Sequence, residues 1–154
     1  MNNRSVIHLN DLEKLLEVYD VIGRCAIANG CFDILHPGHL AIFEMLDEVS
    51  YHRGLKPIVA INSDESIKRI KGEGRPIVPQ FARATLITNL RWDLCVVIFD
   101  EDTPQRLMDF LKPRVVVKGS EYDKESVIRW KGSEVISPSM VPNWSTSAII
   151  GDRK

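Results

Sequence analysis

The feature that most constrains the fold is a series of short, uninterrupted apolar runs separated by segments with helical spacing. Strands buried on both faces carry such continuous runs, whereas a strand with one solvated face alternates apolar and polar residues. Strands that alternate with helices indicate a parallel sheet covered on both faces. The sequence therefore predicts an α/β, Rossmann-like doubly wound parallel sheet of about five strands. The predicted strands are 24–29, 56–62, 93–99, 113–119 and 133–138.

The segments between these runs have the spacing of helices. Pro37 suits the first turn of a helix that Gly54 would end. Asn62 is the predicted cap of the next helix, and Glu65 three residues later suits a capping box. The further predicted helices cover 63–71, 80–91, 103–112 and 124–130.

The N-terminal region is predicted to be a helical lead-in over 1–23. Apolar residues recur at helical intervals through 11–22, and Gly23 follows as a stop signal. No internal repeat or low-complexity segment interrupts the chain. Its 154 residues are therefore expected to form a single domain, 1–154.

Charge and composition exclude several classes of protein. A formal net charge of −1 argues against a nucleic-acid binder, whose affinity rests on excess Lys and Arg. No stretch approaches the ~18 apolar residues of a membrane span. The three cysteines form no C-x-x-C pair, which favours free thiols in a reducing compartment. We expect a soluble, cytoplasmic protein that binds neither nucleic acid nor membrane.

Two histidines three residues apart, His36 and His39, follow the first predicted strand. With Pro37 and Gly38 between them, they would flank the N-terminus of a helix, where free N–H groups and the helix dipole favour an anion. A zinc site would need a third ligand of matching reach, and buried structural histidines are the other alternative. We interpret the pair as part of a phosphate-binding site.

The segment 30–39, "GCFDILHPGH", resembles the G-x-F-D-x-x-H-x-G-H signature of the cytidylyltransferase-like nucleotidyltransferases, distant relatives of class I aminoacyl-tRNA synthetases. Within that family the chain is most similar to the adenylyltransferase domain that makes ADP-activated heptose, and this resemblance covers nearly all of 9–151. The segments that carry it, in chain order, are "NGCFDILHPGH", "NSDESIKRIKGEGRP", "FARATL", "EDTPQRL", "VKGSEY" and "STSAII".

The resemblance implies roles for particular residues. The catalytic residues would be His36 and His39, which would contact the nucleotide phosphates and stabilise the transition state, and Lys71, which would contact phosphate. The implied nucleotide-binding residues are Gly30, Cys31, Phe32, His36, His39, Lys118, Gly119, Ser145, Thr146 and Ser147.

Three other side chains have an expected role with a structural alternative. Arg83 is expected near an acceptor or nucleotide phosphate, or in a surface salt bridge. Lys68 is expected to bind acceptor or phosphate, or to lie on a solvated helix face. Asp33 is expected to order its own loop rather than act as a base or metal ligand.

The resemblance also implies a reaction. AMP would pass from ATP to a sugar 1-phosphate, specifically heptose 1-phosphate, with Mg²⁺ on the polyphosphate and with the chain as a homodimer. CTP with glycerol 3-phosphate or another polyol phosphate is the alternative within the family, and a non-catalytic nucleotide-binding module is the alternative outside it. Ser120 and Glu121 replace the family's glycine and aspartate, which bears on the choice of nucleotide.

Overall fold

The computed structural model describes residues 6–11 and 20–151. Most of the predicted helix over 11–22 therefore lies outside the described residues. The lead-in is not wholly helical, because Val6–His8 forms a strand, β1, followed by a 3-10 turn at Leu9–Asp11. Ile7 is the buried residue of this strand.

The sheet has six strands, all parallel, instead of about five. After β1 come β2 (Cys25–Gly30), β3 (Lys56–Asn62), β4 (Cys95–Phe99), β5 (Val115–Val117) and β6 (Glu134–Ile136). Their spatial order is β1-β4-β3-β2-β5-β6, and every pairing is parallel. The additional strand is β1, which pairs with β4 at one edge. The predicted Rossmann-like parallel sheet is confirmed.

Within the described residues, five α-helices connect or follow the strands: α1 (Pro37–Arg53), α2 (Asp64–Lys71), α3 (Gln80–Thr88), α4 (Gln105–Leu111) and α5 (Thr146–Ile150). The predicted ends of α1 are confirmed. Pro37 opens the helix, and Gly54 ends it in the left-handed conformation at φ 62°, which glycine adopts without steric cost.

The core has two halves, one on each face of the sheet. In β2, Cys25 and Ile27 pack on the face that α4 covers, with Leu107 among its contacts. Ala26 and Ala28 point to the other face, which α1 and α3 cover. Because both faces are covered, the middle of these strands is continuously apolar, as in 58–61 of β3 and Cys95–Phe99 of β4.

Two local predictions are wrong. Segment 124–130 forms only a 3-10 turn at Lys124–Ser126. The Arg129 guanidinium donates to the Lys124 carbonyl at 2.7 Å and the Val127 carbonyl at 3.3 Å, and thus takes acceptors that a helix would use. The cap of α2 is Ser63, whose hydroxyl accepts from the Ser66 N–H, and not Asn62.

The strand order changes direction beside β2. From β2 the chain builds outward through β3 and β4 on one side, then crosses to β5 and β6 on the other. Ligands of open α/β sheets bind at such a point, outside the carboxyl ends of the strands. Here those ends are Gly30 of β2 and Lys118, which follows β5.

Candidate active site

A cleft occupies this point. Its inner part has a volume of about 200 Å³ and adjoins an outer part of about 460 Å³. Eleven of the thirteen residues predicted for the site line one part or the other. They are Gly30, Cys31, Phe32, His36, His39, Lys71, Lys118, Gly119, Ser145, Thr146 and Ser147.

The two histidines lie against each other at the start of α1. Their ring centroids are 3.7 Å apart and the ring planes are inclined by 21°. His36 is the N-cap, and its Nδ1 accepts a hydrogen bond from the Gly38 N–H at 3.1 Å. A Cβ at residue 38 would approach the His36 ring to 2.9 Å, so the glycine is what allows the ring to fold over the helix end.

Burial keeps both imidazoles neutral near pH 7. It lowers the pKa of His39 to about 4, with further lowering from the adjacent His36 and a smaller opposing effect of the Ile34 backbone. Burial also lowers the pKa of His36, against the opposing charge of Glu121. The buried His39 Nδ1 makes no hydrogen bond within the described part of the chain. A bound anion would raise both pKa values again.

The turn after β2 holds the histidines in place. Phe32 adopts a left-handed backbone at φ 45°, which is uncommon for a residue other than glycine. Its ring meets the His39 ring edge-on, with the ring centroids 5.1 Å apart, and its centroid lies 4.9 Å from that of Phe43 in α1. A Cβ at Gly30 would press on the Phe32 ring at 3.3 Å. Gly30 and Phe32 therefore shape the turn as a unit.

Asp33 orders a loop, but a different one from the loop predicted. Its carboxylate accepts from Arg75 Nε at 2.9 Å and from the N–H groups of Ile77 and Val78 at 2.9 and 2.8 Å. Burial alone would raise the pKa of Asp33, but these donors bring it below its usual value. Asp33 thus ties segment 75–78 to the end of β2.

Arg83 does not line the cleft, in contrast to its predicted phosphate contact. Its side chain is fully buried and donates to the carbonyls of Cys31 (2.6 Å) and Val78 (2.9 Å) and to Asp64 Oδ1 (2.8 Å). The alternative of a surface salt bridge is correct in the ion pair with Asp64 and wrong in its location, because the guanidinium is enclosed. Arg83 joins the β2 turn to the 75–78 loop and to the start of α2.

Of the two α2 lysines predicted for the site, only one lies in the cleft. Lys68 pairs with Glu65 at 3.0 Å on the exposed face and does not line the cleft. Lys71, the last residue of the helix, lines both parts of it. Lys68 therefore lies on the solvated helix face, which was its structural alternative. Lys71 lies in the cleft, and its contact with phosphate stays a prediction.

The turn after β5 supplies a second lysine. Lys118 Nζ donates to the Asn29 carbonyl at 2.8 Å and lies 4.8 Å from the centre of the Tyr122 ring. Burial lowers the pKa of Lys118 to about 8, with Glu121 and Cys31 opposing that shift. A Cβ at Gly119 would displace the Glu121 carboxylate, which lies over this glycine.

Sequence reasoning did not assign the cleft-lining residues Arg75, Glu121 and Tyr122. Glu121 and Tyr122 follow Lys118-Gly119 directly, so adjacency to a predicted turn was the available signal. Arg75 lies in the glycine-containing loop after Lys71, at the end of the segment "NSDESIKRIKGEGRP" that carries part of the family resemblance, and that resemblance was the available signal.

The hydroxyl segment borders the cleft through α5. The Ser145 hydroxyl caps the helix by accepting from the Ala148 N–H at 3.1 Å. Thr146 and Ser147 line the inner cleft. Ser145 therefore caps α5 and also lines the outer cleft, and the predicted binding of phosphate by the three hydroxyls stays a prediction.

The sequence model of the cytidylyltransferase-like family matches residues 27–140, a range that holds the histidine pair and both cleft lysines. The chain belongs to the cytidylyltransferase-like family. It is 39% identical over 132 residues to the bifunctional protein HldE of Hahella chejuensis, and 43% identical over 131 residues to that of Nitratiruptor sp.. Each alignment covers 82% of this chain and 27% of the relative.

Other comparisons agree with this family assignment. The bifunctional protein HldE of Rhodopseudomonas palustris strain BisB18 is 40% identical over 148 residues, which is 91% of this chain and 29% of the relative. The chain thus spans about a quarter to a third of the length of the curated relatives it matches. The lipopolysaccharide core biosynthesis protein of Thermoplasma volcanium superposes with a TM-score of 0.55 over 75% of this chain and 96% of that one, at 22% identity, which shows the shared fold.

Within residues 6–11 and 20–151, no helix is long and apolar enough to span a membrane. The same residues bring together no group of three or more His, Cys, Asp or Glu side chains that could hold a metal ion.

Proposed function

We propose that the chain is a nucleotidyltransferase that transfers AMP from ATP to heptose 1-phosphate and releases pyrophosphate. The observation that carries this proposal is the stacked His36–His39 pair, which shares one cleft with Lys71 and the α5 hydroxyls. Membership of the cytidylyltransferase-like family supports the class of reaction. Identities of 37–43% to proteins named bifunctional protein HldE, with the resemblance described above, support the adenylyl group and the heptose acceptor.

The reaction follows from the chemistry of the two substrates. An oxygen of the acceptor phosphate attacks the α-phosphorus of ATP in line. A new P–O bond forms as the bond from the α-phosphorus to the bridging oxygen breaks, and pyrophosphate leaves with the electron pair. The attacking oxygen is already anionic, so the site needs no general base. Catalysis then rests on positioning and on stabilising the charge that develops.

The histidine pair would hold the α-phosphate and the leaving phosphate. A neutral imidazole provides one N–H donor and a protonated one provides two. Because burial lowers the pKa of both rings in the empty cleft, a bound triphosphate would draw protons onto them. The charge on His36 and His39 would thus increase when the polyanion arrives.

The cationic and hydroxyl groups opposite would hold the rest of the triphosphate. Lys71 and the hydroxyls of Thr146 and Ser147 border the same cleft as the histidines and are assigned to the β- and γ-phosphates. Lys118, with its pKa of about 8, is still protonated at neutral pH. Gly119, whose missing side chain leaves room for the Glu121 carboxylate, would border the nucleoside.

Mg²⁺ would arrive as the complex of the triphosphate. This ion keeps several water ligands and binds proteins through one or two carboxylates together with substrate phosphates. Glu121 is a cleft-lining carboxylate, and no salt bridge engages it within the described residues. The cleft therefore suits a magnesium ion held mainly by phosphate, which would neutralise part of the polyphosphate charge.

A second candidate is a cytidylyltransferase that uses CTP and glycerol 3-phosphate. The observation that favours it is the turn after β5, where Ser120 and Glu121 replace the residues expected for the adenylyltransferase. Glu121 lines both parts of the cleft, so this exchange alters the lining itself. The homodimer that the resemblance implies stays a prediction.

The test is pyrophosphate release by the purified protein with Mg²⁺. ATP and CTP are each paired with heptose 1-phosphate and with glycerol 3-phosphate, and a His39→Ala variant is the control. We expect release only with ATP and heptose 1-phosphate, lost in the variant. Release only with CTP would retain the chemistry and reject the heptose acceptor. Tight triphosphate binding with no release in any pairing would indicate a binding module instead.

A further inference from the structure

A second cavity lies at the amino ends of the strands, on the side of the sheet opposite to the cleft. It has a volume of about 620 Å³, larger than either part of the cleft. Residues that precede or begin β2, β3, β5 and β6 surround it. Its lining consists of Gly23, Arg53, Leu55, Lys112, Arg114, Trp130, Gly132 and Glu134.

The charge of this cavity is unbalanced. Arg53 is neutralised by Glu134, with Nη1 and Oε2 2.6 Å apart. Lys112 and Arg114 make no side-chain hydrogen bond or salt bridge within the described part of the chain. Two like charges that line one cavity repel each other unless an anion lies between them. Both side chains are exposed, and a lysine together with an arginine on the wall of one cavity supplies donors that bind phosphate.

The backbone that carries these cations is fixed on both sides. The Lys112 N–H donates to the Met108 carbonyl at 2.9 Å, and the Arg114 N–H donates to the Cys25 carbonyl at 2.9 Å. The Arg114 carbonyl in turn accepts from the Glu134 N–H at 3.0 Å. The backbone of both residues is therefore fixed, so only the exposed side chains lose freedom when they bind an anion.

Lys112 occupies a backbone conformation that favours glycine. It ends α4 in the left-handed region at φ 48°, where a side chain adds strain. A glycine would satisfy this cap more easily. A lysine at this position thus places a charge at the cavity at some cost in backbone energy.

The remaining wall is apolar and rigid. Trp130 packs against the core residues of one sheet face, and its ring lies so close over Gly132 that any side chain there would collide with it. Leu55 is 8% exposed and lines the same cavity. Trp130 is partly exposed, and the part of its ring that lines the cavity offers an apolar contact for the ring of a ligand whose phosphate the cations hold.

We propose that this amino-end cavity is a second binding site, separate from the cleft, for a small molecule that carries a phosphate and a planar ring. Lys112 and Arg114 hold the phosphate, and Trp130 contacts the ring. The site is independent of the reaction proposed above, because it shares no residue with the cleft.

Heteronuclear NMR of the ¹⁵N-labelled chain locates the binding. Inorganic phosphate probes the anion contact alone, and AMP probes the anion and ring together. We expect both to shift the Gly132 and Glu134 amide signals saturably, with AMP binding at least about fivefold more tightly than phosphate because of stacking. AMP shifts confined to the cleft would overturn the proposal.

Variants separate a specific site from general attraction. Lys112→Ala/Arg114→Ala should weaken the Gly132 and Glu134 response at least about tenfold. The matched double variant Arg106→Ala/Lys124→Ala removes the same charge elsewhere and should leave the response unchanged. If the first double variant does not fold, Lys112→Gly suits the left-handed cap and still removes one cation. An undiminished amino-end response in the cavity variants would show that these cations do not form the site.

Discussion

The buried Arg83 provides the sharpest test of how the site is built. Its guanidinium is fully enclosed and has partners on three segments: the Cys31 carbonyl, the Val78 carbonyl and Asp64. Replacement by leucine would leave two carbonyls and one carboxylate without these donors. Each buried group left unsatisfied costs about 1–3 kcal/mol, and breaking a buried ion pair costs about 3–5 kcal/mol.

Asp64 moderates this estimate. Its side chain is 31% exposed, so water can hydrate the carboxylate once Arg83 is removed. We therefore expect Arg83→Leu to lower the free energy of unfolding by about 3 kcal/mol, a large share of the 5–15 kcal/mol typical of a domain. Arg83→Lys keeps the charge, but an ammonium cannot reach all three partners of the guanidinium. Its free energy of unfolding should therefore lie between those of the unchanged protein and Arg83→Leu.

Urea unfolding followed by far-UV circular dichroism measures this effect. The midpoint should fall for Arg83→Leu at an unchanged slope, whereas Lys68→Ala, on the exposed face, should change stability by less than about 0.5 kcal/mol. A fully stable Arg83→Leu protein that had lost only phosphate affinity would refute the structural role. It would support the direct phosphate contact instead.

Three further predictions concern the cleft. The free energy of unfolding should fall as the pH drops from 6.5 to about 4, because His39 has a pKa of 6.5 in the unfolded chain and of about 4 in the native chain. The expected loss is roughly 3 kcal/mol, and urea unfolding across this pH range measures it. Affinity for ATP, measured by calorimetry, should fall above pH 8 as Lys118 loses its proton, and Lys118→Arg should remove this decline. Ser145→Ala should weaken ATP binding several-fold, because loss of the α5 cap costs about 1 kcal/mol and disorders the adjacent Thr146 and Ser147.

Each of these has a control. His39→Asn should reduce the acid destabilisation and leave only the smaller contribution of His36, whose pKa is also lowered by burial. His52→Asn on the outer face should retain the full effect, and equal pH dependence in the two variants would contradict the assignment. An alkaline decline that persists in Lys118→Arg would place the titrating group elsewhere. Ser145→Thr retains an oxygen for the cap, so equal affinity of Ser145→Ala and Ser145→Thr would show that the cap does not position the hydroxyls.

The sheet could be predicted where its sequence is continuous and apolar. The strands 56–62 and 93–99 are buried on both faces, and such burial leaves a pattern that a single sequence reveals. β1 was not predicted because it has three residues and only Ile7 is buried. A single buried position at a sheet edge carries no period-2 signal.

The cleft could be predicted where a motif fixes the backbone. His36 and Gly38 lie together because the cap of α1 requires it. Arg83 could not be placed, because a lone arginine in a helical segment has no pattern that distinguishes a buried position from an exposed one. Its burial depends on Asp64, Val78 and Cys31, which lie on segments that only the folded chain brings together.

The central claim is that the cleft transfers a nucleotidyl group and not a phosphoryl group. Mass spectrometry of the products formed from ATP, Mg²⁺ and heptose 1-phosphate tests this directly. The prediction is a product with the combined mass of AMP and the sugar phosphate less one water, with one pyrophosphate released per product and neither formed by His36→Ala/His39→Ala. ADP together with a sugar bisphosphate would show attack at the γ-phosphorus and would contradict the claim.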